Sequence, residues 1–178
     1  MTSTQNLKNI FLMPCWSGQI KAHLEKTVLH PAKQLVIFPA VAETTRAELA
    51  TIFGDRDIAV WGSMDGSNNR GYFDKMKPAD YILFSINQEV KIVGQIASKT
   101  ISPTLSKILW PAGPRIFSLI YFIDRVVKVN TPLSKVLATF GYNEDYLIRG
   151  LTRVSAERLK AFYANYPDIF SVVTATTL

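Results

Sequence analysis

The sequence predicts an α+β fold in which helices surround a bent, mainly antiparallel β-sheet or a small barrel. Short apolar runs alternate with short amphipathic stretches along the whole chain. Two of those runs, residues 80–86 and 90–97, are separated only by "NQE", which is typical of a hairpin. The crossover helices that a parallel, doubly wound sheet needs between successive strands are not indicated.

Each predicted element rests on a local pattern. Ile20, Leu24 and Val28 recur every four residues, which predicts an amphipathic helix. "QLVIF" is apolar and rich in β-branched residues, which predicts a strand. The same reasoning predicts strands at 9–14, 34–38, 58–61, 80–86, 90–97 and 115–130, the last interrupted at Asp124–Arg125. It predicts helices at 18–28, 43–53, 69–76, 104–110, 132–141 and 154–166.

The chain of 178 residues is 48% apolar, so it can bury the core of one domain over residues 1–178. Its net charge of +6 is distributed unevenly. Residues 1–90 carry 9 basic and 9 acidic side chains, whereas residues 91–178 carry 11 and 5. An excess of positive charge confined to one half indicates an anionic partner such as nucleic acid, with an ordinary solvated surface as the alternative.

The sequence does not indicate an enzyme. It contains no glycine-rich phosphate loop and no nucleophile elbow. The single cysteine, Cys15, excludes a disulfide framework, and His23 and His30 have no ligand cluster around them, so we expect no metal and no cofactor. A thiolate pair of Cys15 with one of the histidines is the enzymatic alternative. We expect a cytoplasmic protein with no membrane partner, because no apolar run approaches the length of a membrane span.

The aromatic residues offer the clearest functional pattern. Trp61 and Trp110 both stand where a regular element gives way to a loop, and Trp61 is followed by the small polar stretch "GSMDGSNN". Indoles at such positions suit a pocket that stacks a flat ring. The residues alone leave a second interpretation open, namely that both are core side chains near the rim of the sheet. Trp16, in "PCWSG", is interpreted as a packing residue.

The stretch "IAVWGSMDGSNN…YILFSINQEVKIVGQIASK" resembles the YTH domain, and "ILWPAGP" with "RIFSLIYFIDRVVKV" resembles its second tryptophan and the strand that follows. A second pattern resembles that of EVE-like domains of the PUA superfamily, and it consists of the "WG" strand end, Asn69, Phe73 and the "KPAD" corner. Many EVE-like domains lie at the N-termini of modification-dependent restriction proteins, including those of the McrB type. The resemblance covers the core, residues 34–130. A strand–helix segment (1–33) and a helical part (131–178) flank it, and Ala79 replaces the usual glycine of the corner.

This resemblance implies a PUA-like fold and a non-catalytic domain that flips a methylated base out of DNA into an aromatic cage. It implies that Trp61 and Trp110 sandwich the base, and it favours N6-methyladenine over 5-methylcytosine. The remaining residues assigned to the modified-base pocket are Gly62, Ser63, Asn69 and Thr44, with Glu43 as an alternative to Thr44.

The same resemblance implies contacts with the nucleic-acid backbone and a partner for the domain. The cations assigned to the backbone are Arg70, Lys99, Lys107 and Arg115. A nuclease or NTPase module, in the same chain or in a partner chain, would complete a restriction system. Two alternatives keep the fold, namely a reader of methylated RNA and a domain that binds a small molecule or a protein.

Overall fold

The computed structural model describes residues 7–111, 114–143 and 145–173. Its centre is a six-stranded sheet with the order β2-β5-β4-β3-β1-β6. The strands are β1 (Ile10–Pro14), β2 (Ala59–Ser63), β3 (Tyr81–Ile86), β4 (Glu89–Ile101), β5 (Leu119–Pro132) and β6 (Thr152–Arg153). Only β1 and β3 pair in parallel, and all other neighbours are antiparallel, so the predicted mainly antiparallel sheet is confirmed.

The long strands β4 and β5 bend the sheet. Their pairing shifts register at three places, between Val90 and Ile92, between Gln95 and Ile96, and between Ile96 and Ser98. Extra residues in one strand of an antiparallel pair increase the local bend and twist. The sheet is therefore curled, and the α+β class with surrounding helices is confirmed.

Helices cover both faces of the sheet, and the strand sequences explain why. Ile10 and Leu12 of β1 lie in one apolar cluster, whereas Phe11 between them lies in the cluster on the opposite face. A strand that is buried on both faces contains a nearly continuous apolar run. The α-helices are α1 (Gly18–Leu24), α2 (Gln34–Ile37), α3 (Glu43–Phe53), α4 (Ser67–Lys75), α5 (Pro103–Leu109), α6 (Leu133–Thr139) and α7 (Ala156–Asn165).

The predicted hairpin joins β3 to β4 through a tight turn. Asn87 and Gln88 have φ angles of 51° and 61°, the conformation of the two central residues of a type I′ turn. Gly94 of the hairpin is required by packing, because a Cβ atom there would lie 2.7 Å from a methyl carbon of Ile123. At the "KPAD" corner, Ala79 keeps the left-handed conformation that glycine usually adopts, with φ at 73°.

The predicted strand at 34–38 is wrong. Residues Gln34–Ile37 form α2, and a 3₁₀ turn, Phe38–Ala40, follows. Pro39 has no N–H for a sheet ladder, and only Ile37 of α2 is fully buried, while Leu35 is exposed. A short apolar run cannot be assigned to strand or helix by its composition alone.

Three smaller differences concern the type, the bounds and the number of the elements. The predicted helix 18–28 consists of α1 and a π-helical turn, Glu25–Leu29. The strand predicted at 115–130 begins four residues later, at Leu119, and β5 continues to Pro132 without a break, because the exposed pair Asp124–Arg125 lies at a register shift and does not interrupt the ladder. The two-residue strand β6 was not predicted, since its pairing with β1 depends on a contact between distant parts of the chain.

Candidate nucleic-acid interface

The two tryptophans assigned to the base pocket lie together in the core. Trp61 belongs to β2 opposite Tyr121 of β5, and Trp110 directly follows α5. They are 2% and 4% exposed, and their ring centroids are 6.2 Å apart at an interplanar angle of 68°. We call these two side chains the indole pair.

The indole pair makes an edge-to-face contact. A base between two parallel rings needs a ring separation of about 7 Å, twice the van der Waals distance of about 3.5 Å. In this conformation no base fits between Trp61 and Trp110, so the predicted sandwich requires the two rings to separate. The indole N–H groups of both residues are buried and have no acceptor among the described residues.

A narrow inner cavity adjoins the indole pair. It is too narrow to hold a water molecule. His23 of α1 lines it, with its ring centroid 5.7 Å from that of Trp110 and 5.5 Å from that of Phe117. Burial, and secondarily the positive charge of Lys26, lower the pKa of His23 below its usual range. The imidazole is therefore mainly neutral at pH 7.

A wider cleft opens above this cavity and has a volume of about 620 Å³. Gly62, Phe117 and Ile20 line both the cavity and the cleft. Gly62 is required by close packing, because a Cβ atom there would lie 2.6 Å from the carbonyl oxygen of Phe117 and 2.8 Å from the Trp110 ring. Because Gly62 has no side chain, the backbone near the end of β2 passes directly over the indole pair.

Three other predicted pocket residues have different positions. Ser63 lines the cleft, is buried, and its Oγ lies 3.3 Å from the Tyr121 hydroxyl oxygen. Asn69 also lines the cleft, and its side-chain amide donates to the carbonyl oxygen of Met64 over 2.9 Å. Thr44 is exposed on α3 and does not line the cleft, and the same holds for Glu43, whose carboxylate pairs with Arg46.

Exposed apolar side chains gather at the rim of the cleft. Trp16 is 53% exposed, although such a large ring is usually buried in a soluble domain. The other exposed apolar side chains that line the cleft are Met64, Tyr146 and Leu147. The sequence interpretation missed Trp16 and Tyr146 as cleft residues. Ser17 and Gly18, which follow Trp16, were the only local sequence signal that Trp16 lies in a loop.

The ring of Tyr146 is supported from behind. It stacks on Tyr142 with a centroid distance of 4.2 Å and an interplanar angle of 24°. The guanidinium of Arg158, a residue of α7, lies 4.2 Å from the centre of the Tyr142 ring. This stack connects the cleft to the C-terminal helix and gives Tyr146 a defined orientation.

Two of the cations in the cleft are free to bind an anion. Arg115 and Arg149 line the cleft, both are exposed, and neither pairs with a carboxylate among the described residues. No acidic side chain lines the cleft in residues 7–111, 114–143 and 145–173. Arg149 was missed, because the sequence around it carries no recognisable motif.

The other cations assigned to the backbone lie outside the cleft. Arg70 pairs with Asp65, which lowers the pKa of that carboxyl. Lys99 donates to the carbonyl oxygens of Phe73 and Asp74 at the end of α4, so it stabilises the helix terminus. Lys107 is exposed on α5 and does not line the cleft.

The geometry does not favour chemistry at Cys15. The thiol is 1% exposed, and burial raises its pKa to about 12, so it is protonated at neutral pH. No group of three or more potential metal ligands occurs within the part of the chain that the structure describes. Among the described helices, none has the length and hydropathy needed to cross a membrane.

The chain thus has an α+β fold, in which helices cover both faces of a curled, mainly antiparallel sheet. The chain is similar to the solved N-terminal domain of Thermococcus gammatolerans McrB bound to m5C DNA, with a TM-score of 0.66. The similarity covers 88% of this chain and 96% of that one, at 17% sequence identity, and therefore concerns the fold. No family model and no curated protein matches the chain.

Proposed function

We propose that this chain is a non-catalytic domain that recognises a methylated base in DNA and holds the flipped base in the cleft beside Gly62 and Ser63. The observation that carries the proposal is the composition of the cleft. Exposed aromatic rings and two unpaired arginines line it, and acidic side chains do not, among the described residues. The solved domain with the same fold is bound to m5C DNA, which supports this ligand class.

Stacking would supply the affinity for the base. Each aromatic ring that stacks on a base contributes roughly 1–3 kcal/mol. Trp16 and Tyr146 expose ring surface to the cleft, and the Tyr142–Tyr146 stack holds one of them in place. We therefore assign the first contact with a flipped base to these two rings.

The end of β2 would read the base edge. Gly62 and Ser63 line the cleft, and their backbone groups would contact the base edge. Asn69 would contribute its side-chain carbonyl, because its amide nitrogen already donates to Met64. The indole pair lies directly below, with two N–H donors that have no acceptor in the described structure. Separation of Trp61 and Trp110 would admit the base more deeply and form the cage that the sequence resemblance implies.

Arg115 and Arg149 would bind the phosphates that flank the flipped nucleotide. Phosphate contacts supply affinity that is independent of base identity and falls with salt. The excess of positive charge in residues 91–178 has the sign that such contacts require. A nuclease or NTPase module would supply the response to binding, and this domain would target it to methylated sites.

The resemblance to YTH domains favours N6-methyladenine as the mark, and 5-methylcytosine is the second candidate. The decisive measurement is binding to matched oligonucleotides with no mark, N6-methyladenine or 5-methylcytosine, each as DNA and as RNA. We expect tighter binding to marked DNA than to unmarked DNA. Equal affinity for all three DNA forms would contradict the proposal, and a preference for marked RNA would transfer it to RNA.

The arginines are tested by salt titration of the double variant Arg115→Gln/Arg149→Gln. The slope of log K against log salt should decrease in magnitude by about 0.9 for each lost phosphate contact. Marked and unmarked DNA should lose affinity equally. Arg70→Gln/Lys107→Gln removes the same charge outside the cleft and should change the slope less. An unchanged slope in the first variant would exclude Arg115 and Arg149 as phosphate ligands.

A further inference from the structure

A second basic depression lies at the opposite end of β1 from the cleft. It has a volume of about 490 Å³, and its cations are Lys8, Lys75, Lys77 and Arg153. We call this feature the basic groove. Nothing in the base-recognition proposal uses these four side chains. They come from the segment before β1, the end of α4, the turn that follows, and β6.

Among the residues that the structure describes, Asp80 is the only acidic side chain that lines the basic groove, and its carboxylate already accepts hydrogen bonds. Asp80 is buried, and its carboxylate oxygens accept from the backbone N–H of Asn9 at 2.7 Å, from the Asn9 amide at 2.8 Å, and from the backbone N–H of Lys77 at 2.8 Å. These bonds tie the turn to the start of β1. The carboxylate therefore organises the floor of the groove and pairs with none of its cations.

The same bonds orient one of the cations. Asn9 donates to Asp80 through its amide and accepts from Nε of Arg153 at 2.8 Å through its carbonyl oxygen. The two terminal nitrogens of the Arg153 guanidinium have no described partner. A planar guanidinium that is held at Nε and has both terminal nitrogens free can donate two parallel hydrogen bonds to a phosphate.

The lysines complete a positively charged surface. Lys75 and Lys77 are exposed, and none of the four cations pairs with a carboxylate within the described residues. Lys8 lies 5.0 Å from the centre of the Tyr81 ring and donates to its hydroxyl oxygen at 3.3 Å. Four cations and one buried carboxylate leave an excess of three positive charges.

The basic groove adjoins the cleft, because Thr152 of β6 lines the cleft and the next residue, Arg153, lines the groove. Along β1 the two depressions extend in opposite directions. Asn9 lines the groove, and Pro14, five residues later, lines the cleft. Five residues of extended chain span about 16 Å. Phosphates of one strand repeat every 3.4 Å along the duplex axis, so the far end of the groove lies at most about five base pairs from the cleft.

We infer that the basic groove is a second phosphate-binding site, which contacts the DNA backbone within about half a helical turn of the base held in the cleft. The partner, DNA, rests on the proposed function, but the contact itself does not require a methylated base. The groove would extend the footprint of the domain along the duplex and add affinity without adding sequence or mark preference.

The test compares two double variants in salt titrations with unmarked and marked duplexes. Lys75→Gln/Lys77→Gln removes two exposed cations of the groove, and Lys33→Gln/Lys160→Gln removes two exposed cations that line neither depression. The groove variant should reduce the slope of log K against log salt by about 2, as expected for two phosphate contacts. The control variant should keep the wild-type slope, and both should keep the wild-type melting temperature.

A second measurement locates the contact. Duplexes with the mark at the centre and flanks of 10 base pairs should bind the wild-type domain more tightly than duplexes with flanks of 3 base pairs, because only the longer flanks reach the far end of the groove. The groove variant should bind both duplexes equally. Wild-type slope and wild-type length dependence in that variant would overturn the inference, even if mark preference is intact.

The two proposals fail in different ways. If the wild-type domain binds marked and unmarked DNA with equal affinity and the groove variant has a reduced salt slope, the groove is supported and base reading is contradicted. Absence of any DNA binding by the wild-type domain overturns both.

Discussion

The indole pair and the cleft are two aromatic regions that adjoin each other at Gly62, and they differ in what their rings contact. Trp61 and Trp110 contact each other and the core, whereas Trp16 and Tyr146 present ring surface to solvent. Aromatic side chains are therefore available at both depths of one site. The rings of Trp16 and Tyr146 are therefore open to a stacking partner in this conformation, whereas the indole pair would have to separate to admit one.

The largest expected effect is on the indole pair. Trp61→Ala should lower the free energy of unfolding by about 3–5 kcal/mol, because it removes a buried aromatic side chain and leaves a cavity. Trp110→Ala should have a similar effect. Chemical denaturation measures both, and binding to marked and unmarked DNA should fail together with folding.

Trp61→Phe keeps an aromatic ring in the core and is the informative companion variant. If this variant folds but has lost its preference for methylated DNA, the indole pair contacts the mark directly. A folded Trp61→Phe variant with wild-type preference places the contact in the cleft.

The next largest effect concerns the cleft. Trp16→Ala should weaken binding of marked DNA by about 1–3 kcal/mol, which is about one to two orders of magnitude in affinity, because a stacking surface is lost. The melting temperature and the salt slope should not change, since the ring is half exposed and uncharged.

Leu35→Ala is the control for Trp16→Ala, because Leu35 is exposed on α2 and does not line the cleft. It should bind marked DNA as the wild-type domain does. Unchanged affinity in Trp16→Ala would contradict the assignment of the first stacking contact.

The smallest expected effect is a pH dependence of stability, which arises beside the indole pair and not at the cleft. His23 has a lowered pKa in the folded chain, so the unfolded chain takes up its proton at a higher pH. Stability should therefore be full above the unfolded pKa and decrease as the pH falls towards the folded pKa. Melting temperatures measured between pH 7.5 and pH 5 should show this decrease.

His23→Gln should flatten that acid dependence, because the titrating group next to the indole pair is gone. Trp16→Ala should retain it, because the cleft rim does not contact His23. An equally steep decrease in His23→Gln would show that another group is responsible.

Local patterns determined much of the fold. The hairpin β3–β4, the helices α3 and α7, and the antiparallel pairing followed from alternation, helix spacing and cap residues such as Ser155, whose side chain accepts from the N–H of Arg158. These signals are reliable because they arise between residues that are close in sequence.

The sequence also predicted the strand end at Trp61–Gly62, which the structure places beside the cleft, and it determined the excess of positive charge in residues 91–178. The tertiary structure alone decided that the indole pair is closed, that Trp16 lines a cleft, and that Arg149 joins Arg115 there. Those facts depend on contacts between residues far apart in the chain. No spacing rule encodes them, because burial is determined by which elements pack together after the sheet has formed.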